Sequence, residues 1–206
     1  MKKQFLAIGA SAIVLFGAAA CGGDDAKGDD GHSGGMASHG MSASPSAPAA
    51  QGHNEHDVTF AQMMIPHHRQ AVEMSEVVLA GSKNPQVRKL AEQIRNAQDP
   101  EIQTMSGWLK QWGAGSGDMG GMAGMHHEMP GMMGAKDMAA FGRLKGAALD
   151  RRFLTMMIEH HQGAVTMAGT EQAKGSYPQA KALADSIIKA QQAEIATMRG
   201  LLKSRS

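Results

Sequence analysis

The sequence is poor in the residues that crosslink a chain or give it a strong field. It has a single cysteine in 206 residues, which excludes an internal disulfide, so stability outside a reducing compartment has to come from packing or bound metal. Lys and Arg number 20 against 19 Asp and Glu, and a net charge of +1 supplies no field that would draw in nucleic acid or an anionic membrane. Aromatic residues number only eight. No serine or cysteine stands in a pattern that would make it an activated nucleophile, which leaves acyl-transfer chemistry without a candidate. Methionine and histidine are over-supplied instead, at 18 and 10 residues.

The first fifty or so residues cannot belong to a core. Lys2 and Lys3 precede an apolar run from Phe5 to Ala20, and Ala18, Ala19 and Ala20 stand directly before Cys21. This order predicts a lipoprotein signal peptide over residues 1–20, with lipidation of Cys21 holding the protein to the outer face of a membrane. The apolar run is short for a transmembrane span. Residues 21–55 are rich in Gly, Ser, Ala, Pro and Asp without hydrophobic periodicity, the composition of a flexible tether. About 150 residues remain for one domain.

That domain is duplicated. At a shift of 93 residues, Asp57 to Ser75 aligns with Asp150 to Ala168 without a gap, with ten identities in nineteen positions. The same shift aligns Leu90 to Lys110 with Leu183 to Lys203, with twelve identities in twenty-one, and superposes Pro85 on Pro178. Within each copy, apolar residues recur at three and four: Phe60, Met64, His67, Ala71, Met74 and Val78, then Val87, Leu90, Ile94, Gln98, Glu101, Met105 and Trp108. This is helical spacing. Each copy therefore predicts two helices joined by a turn, Gly81 to Pro85 in the first and Lys174 to Pro178 in the second. The pattern runs from repeat one (57–112) across a Met/Gly/His-rich loop (113–136) to repeat two (137–204). A lone helix pair cannot bury both stripes, so the copies should pack as an antiparallel four-helix bundle with approximate two-fold symmetry. A helix from about Asp137 is expected to extend the third long helix. Pro66 and Pro100 should bend their helices, with Asp99-Pro100 alternatively opening a new one. Asp57 and Asp150 look like N-caps.

The stripes carry polar groups inward. His67 and Glu101, and by repetition His160 and Glu194, should meet in the bundle, where an unpaired imidazole or carboxylate is costly. They either hydrogen-bond one another and Gln98 or Gln191 in a closed polar layer, or coordinate metal. His68 and His161 diverge from their neighbours by about 100° and should flank the core near Met64 and Met157. Methionines at core spacing, such as Met74, Met105, Met167 and Met198, read first as gap-fillers.

Between the repeats that reading fails. From Gly113 to Ala140 there are seven Met and eight Gly, and a Gly-rich segment has no core to fill. Met119, Met122, Met125, Met129, Met132 and Met133, with His126 and His127 among them, suit a soft cation: thioether favours Cu(I) or Ag(I), and imidazole also accepts Cu(II). The competing reading is a linker whose thioethers scavenge oxidants. His32, Met36, His39, Met41, His53 and His56 are a weaker version of the same composition. A di-iron oxidase would need a Glu and a Glu-x-x-His from each half, whereas each half here offers His-His and Gln-x-x-Glu. Catalysis is not expected.

The segments MMIPHHRQAVEM and MMIEHHQGAVTM, with AQDPEIQTM and AQQAEIATM, resemble the secreted bacterial family of domain of unknown function 305, which includes CopM-type copper-binding proteins. The likeness runs over about residues 53 to 204. It implies an all-α, ferritin-like antiparallel four-helix bundle made of two repeated helix pairs, and for some members copper binding and tolerance outside the cytoplasm. Carried over by position, it points to Met63, Met64, His67, His68 and Met74, and to Met156, Met157, His160, His161 and Met167. The combined expectation is a lipid-anchored, extracytoplasmic protein that binds copper or silver and sequesters it or passes it to a partner protein. The alternatives are a ferritin-like redox enzyme with a His/Glu site, or a structural envelope protein.

Overall fold

The computed structural model describes residues 52–115 and 129–204. Among them are five helices and no strand: α1 (Glu55–Gly81), α2 (Pro85–Gln111), α3 (Ala135–Gly142), α4 (Gly146–Lys174) and α5 (Pro178–Lys203). Cys21, the N-terminal apolar run, the tether's His32, Met36, His39 and Met41, and Met119, Met122, Met125, His126 and His127 lie outside the described residues.

Local chemistry sets the helix ends. The Asn54 side chain accepts from the His56 and Asp57 amides, while the Asp57 carboxylate takes back the Asn54 N–H at 2.6 Å, a reciprocal capping box. The cap is therefore Asn54, and Asp57 is the third helical residue rather than the N-cap expected of it. Asp150 is not a cap either, because α4 begins four residues earlier at Gly146. Pro85 and Pro178 open α2 and α5, where the missing N–H has no helical partner to lose. Both helices of the first repeat run unbroken through their internal prolines, Pro66 and Pro100, so no new helix starts at Asp99. The helix expected to run from Asp137 into the third long helix is instead the separate α3. Gly146 has φ of 56°, and a left-handed residue cannot continue a right-handed helix across that point.

The four long helices form the bundle. Turns of three residues fold α1 onto α2 and α4 onto α5, and the two hairpins meet along α1 and α4. Hydrogen bonds at opposite ends fix α1 and α4 antiparallel. At the start of α1, the buried Asp57 carboxylate accepts from the Ser176 amide at 3.1 Å and the Tyr177 amide at 2.9 Å, in the turn after α4. At the other end, the Ser82 hydroxyl after α1 donates to Asp150 in α4. Asp57 and Asp150 are equivalent in the duplication, so the two attachments are quasi-symmetric.

The predicted apolar stripe of α1 is buried throughout, and Phe153, Met157, Ala164 and Met167 reproduce it on α4. Two apolar clusters fill the ends of the bundle, one around Phe153, Met74 and Leu90 and the other around Phe60, Met64 and Met105. Each fully buried side chain of this size contributes about 1.5–3 kcal/mol. Between the clusters lies a layer that is not apolar.

Candidate metal centre

His67, His68, His160 and His161 have no exposed surface. The His67 and His160 rings face each other across the α1–α4 contact with centroids 3.7 Å apart. His68 and His161 turn the other way: the His68 Nε2–H donates to Glu101 of α2 at 2.6 Å, and the His161 Nε2–H donates to Glu194 of α5 at 2.7 Å. Both carboxylates are one-fifth exposed. The sequence expectation is corrected here: His68 and His161, not His67 and His160, hold the glutamates, and neither merely flanks the core. The reason is geometric. In a bundle each helix has two neighbours roughly at right angles, so a divergence of about 100° carries one histidine to α4 and the next to α2, both of them interior.

The fourth face is closed by chain from the Met-rich loop. The His67 Nε2–H donates to the Pro130 carbonyl at 3.1 Å. The Gln70 side chain clamps the same segment, donating to the Met133 carbonyl at 2.8 Å and accepting its amide at 2.7 Å. Close approach depends on two glycines. A Cβ on Gly163 would lie 1.8 Å from the Pro130 carbonyl oxygen, and Gly131, at φ of 77°, rests against the Glu159 carbonyl and the His160 backbone. Gly163 is the duplicate of Gln70, so the strap replaces symmetry: one copy grips it and the other makes room. Residues 129–134 are therefore packed, and the expectation of methionines with nothing to fill fails for them. Met129 is buried, and Met133 packs against the core cluster.

Burial sets the protonation of the central pair. Desolvation first, then the charge repulsion of neighbouring imidazoles, lowers the His67 pKa to about 3 and drives that of His160 well below its ordinary value. Both rings are neutral near pH 7 and offer lone pairs. Nε2 of three histidines is engaged by Glu101, Glu194 or Pro130, while their Nδ1 atoms, in His67, His68 and His161, are buried without a hydrogen-bond partner. His160 makes no well-aligned hydrogen bond through either ring nitrogen and has the His67 main chain as polar neighbour. The Gln98 amide and the Gln191 carbonyl are also unsatisfied. A closed polar layer would satisfy its buried groups. These residues instead hold buried imidazole nitrogens without a protein hydrogen-bond partner, with carboxylates behind two of the rings, which is how a metal-binding histidine is oriented and made more basic. Met64 and Met157 are fully buried on the same helices, one turn away. Met63 is half-buried in a groove between α1 and α4, with Met167 lining the same groove. Met74 and Met156 are closed into the apolar cluster at the far end, and Met132 borders a surface cleft with Pro66 and Arg69.

Among the described residues, no three His, Cys, Asp or Glu side chains stand together as a ready cage for a metal ion. The donor set is imidazole and thioether, which suits a soft ion of low coordination number better than a hard one. Sequence reasoning missed Pro130, Gln70 and Gly163. Only the unmatched Gln and Gly at one duplicated position hinted at them.

Fold and centre together define a duplicated helical-bundle protein with a buried histidine layer whose central pair is neutral. The chain belongs to the family described as Domain of unknown function (DUF305), whose model matches residues 57–202. Among solved structures it is similar to a DUF305 protein from Streptomyces coelicolor, with 35% identity, TM-score 0.67, and coverage of 73% of this chain and 92% of that one. A DUF305 fragment from Deinococcus radiodurans is 33% identical with TM-score 0.67, over 73% of this chain and 97% of that one. CopM in its Cu(II)-bound form is 34% identical with TM-score 0.64, over 73% and 97%. CopM has also been solved in Cu(I)-bound and Ag-bound forms. No curated protein matches the chain.

Proposed function

We propose that this is an extracytoplasmic soft-metal binding protein, tethered to a membrane through lipid on Cys21, that holds Cu(I) or Ag(I) in the histidine layer. It sequesters the ion or passes it to a partner protein, and it requires no catalysis. The observation that carries this reading is the set of buried Nδ1 atoms without partners on His67, His68 and His161, beside the His160 ring, neither of whose nitrogens makes a well-aligned hydrogen bond. The neutral His67 and His160 imidazoles bind without first releasing a proton, and their complete burial keeps a monovalent ion from water. The copper- and silver-bound forms of CopM support the choice of ion. The strap at Met129–Gly134 closes the layer, and the methionines preceding it supply soft donors for capture. None of the described helices is long and apolar enough to cross a membrane.

The test is a Cu(I) titration of the intact chain against a competing chelator. His67→Ala and His160→Ala should each abolish the tightest site, while replacing residues 113–128 with Gly and Ser should slow loading and remove weaker equivalents. Wild-type affinity retained in both histidine variants would overturn the assignment.

A further inference from the structure

The duplication provides an internal control for every position, and one groove departs from it. Between α1 and α4, on the side of the histidine layer nearer the start of α1, an open cleft of about 200 Å³ is lined by His56, Phe60, Met63, Pro130, Met167 and Glu171 among others. The antiparallel register set by the His67–His160 contact brings His56 level with Glu171 and Phe60 level with Met167. At the equivalent place in the other half, the 93-residue shift puts Leu149 for His56, Val78 for Glu171, Met156 for Met63 and Met74 for Met167. Those four residues are fully buried, in one cluster with Phe141 and against Met133 and Met138. One half of the groove is thus an apolar core roofed by α3 and the end of the strap. The other keeps both methionines, exchanges its two aliphatic neighbours for an imidazole and a carboxyl group, and has no such roof among the described residues.

We propose that this open half is a second soft-metal site, an entry station for Cu(I) or Ag(I) built from the Met63 and Met167 thioethers and the His56 imidazole. Two thioethers and one imidazole are the donors of a three-coordinate soft monovalent ion. The ends of the groove fit that role. His56 is exposed and meets incoming ions, Met63 is half-buried, and Met167 is 8% exposed. Pro130 lines the groove and its carbonyl accepts from the His67 Nε2–H, so one residue of the strap joins the groove to the histidine layer. Glu171 does not make the cleft a site for hard cations. Its carboxyl group is buried against Asp57 and its pKa is raised to about 8 by desolvation and that neighbour, so it is a neutral acid at pH 7. The choice of ion rests on the reading of the histidine layer; the site itself does not.

The test is Ag(I) titration of the intact chain labelled with [ε-13C]methionine, with the Met63 and Met167 methyl signals assigned through Met63→Leu and Met167→Leu. Both signals should shift during the titration, and should still shift in His67→Ala/His160→Ala. Equilibrium dialysis should find one fewer silver ion per chain in Met63→Leu/Met167→Leu, with the imidazole signals of the histidine layer still responding. Methyl signals that stay fixed while the layer saturates would sink the entry site and leave the layer standing. Methyl shifts with an unresponsive layer would do the reverse, and if neither moves both assignments fall.

Discussion

Alanine at position 163 sets two effects of known sign against each other. Gly163 is buried within α4, and alanine favours a helix over glycine by about 1 kcal/mol. Its Cβ would also stand 1.8 Å from the Pro130 oxygen and 2.4 Å from the Pro130 carbonyl carbon, which are backbone atoms with no rotamer to yield. The strap must lift. Lifting removes the two Gln70 bonds and the His67–Pro130 bond, at about 1 kcal/mol each, and exposes Met129, at about 2 kcal/mol. Chain entropy regained by the two or three residues around Pro130 that the clash frees, about 1 kcal/mol apiece, and the gain in helix propensity together offset most of that loss. The net cost is about 1–2 kcal/mol, a fall in Tm of about 2–8 °C for a domain of this size. Gly169 and Gly200 are helical glycines with nothing within 4 Å of a Cβ, and alanine there should raise Tm instead. Thermal melts of the three variants read the sign, and amide exchange at Met133, whose N–H is held by Gln70 at 2.7 Å, reads the location. Helix content should not change. If Gly163→Ala gains stability like Gly169→Ala with the Met133 amide still slow, the strap is not seated as described.

Acid should destabilise the bundle through its central histidines. The folded pKa of His67, about 3, and that of His160, also lowered, lie beneath the value of about 6.5 for an unfolded imidazole, so the unfolded chain takes up the protons. Their contribution is complete above about pH 6.5 and is lost as pH falls toward 3, at about 1.4 kcal/mol per pH unit for each ring. Denaturant melts between pH 7 and 4 should show this slope, and His160→Gln should flatten it; an unchanged slope would mean that these rings are not the groups titrating. Asp57→Ala removes the acceptor for the Asn54, Ser176 and Tyr177 amides and should cost about 3 kcal/mol, read as a Tm lower by about 6–12 °C. Glu101→Gln keeps an acceptor for His68 but removes the charge behind the ring, and should weaken Cu(I) binding about 10- to 100-fold in chelator competition with little change in Tm.

Much of this molecule was legible because its sequence states the pattern twice. Phe60, Met64, His67, Ala71, Met74 and Val78 share a face in any helix, and the second copy fixed that face against accident. What a single helix cannot convey is how many neighbours it will have. A stripe defined for one partner makes His68 peripheral, whereas α1 has two partners. The strap was hidden for a different reason. Gly-rich composition signals freedom only when nothing distant grips the chain, and Gln70 grips Met133 across 63 residues of sequence. Asp57 reads as the N-cap from its place before the apolar stripe, but the cap is Asn54, three residues earlier, with Asp57 as its partner in the capping box.

The fastenings at the two ends of α1 and α4 carry an implication for ancestry and assembly. Asp57 of the first repeat is held by Ser176 and Tyr177 of the second, and Asp150 of the second is held by Ser82 of the first. Each repeat is thus fastened at one end by the other. A gene encoding one helix pair would have produced a protein that is finished only as a dimer, and fusion of two such genes converts an association that depends on concentration into one that does not. Once both halves travel on one chain, each is released from matching the other, and the strap, α3 and the open groove are the asymmetries that followed.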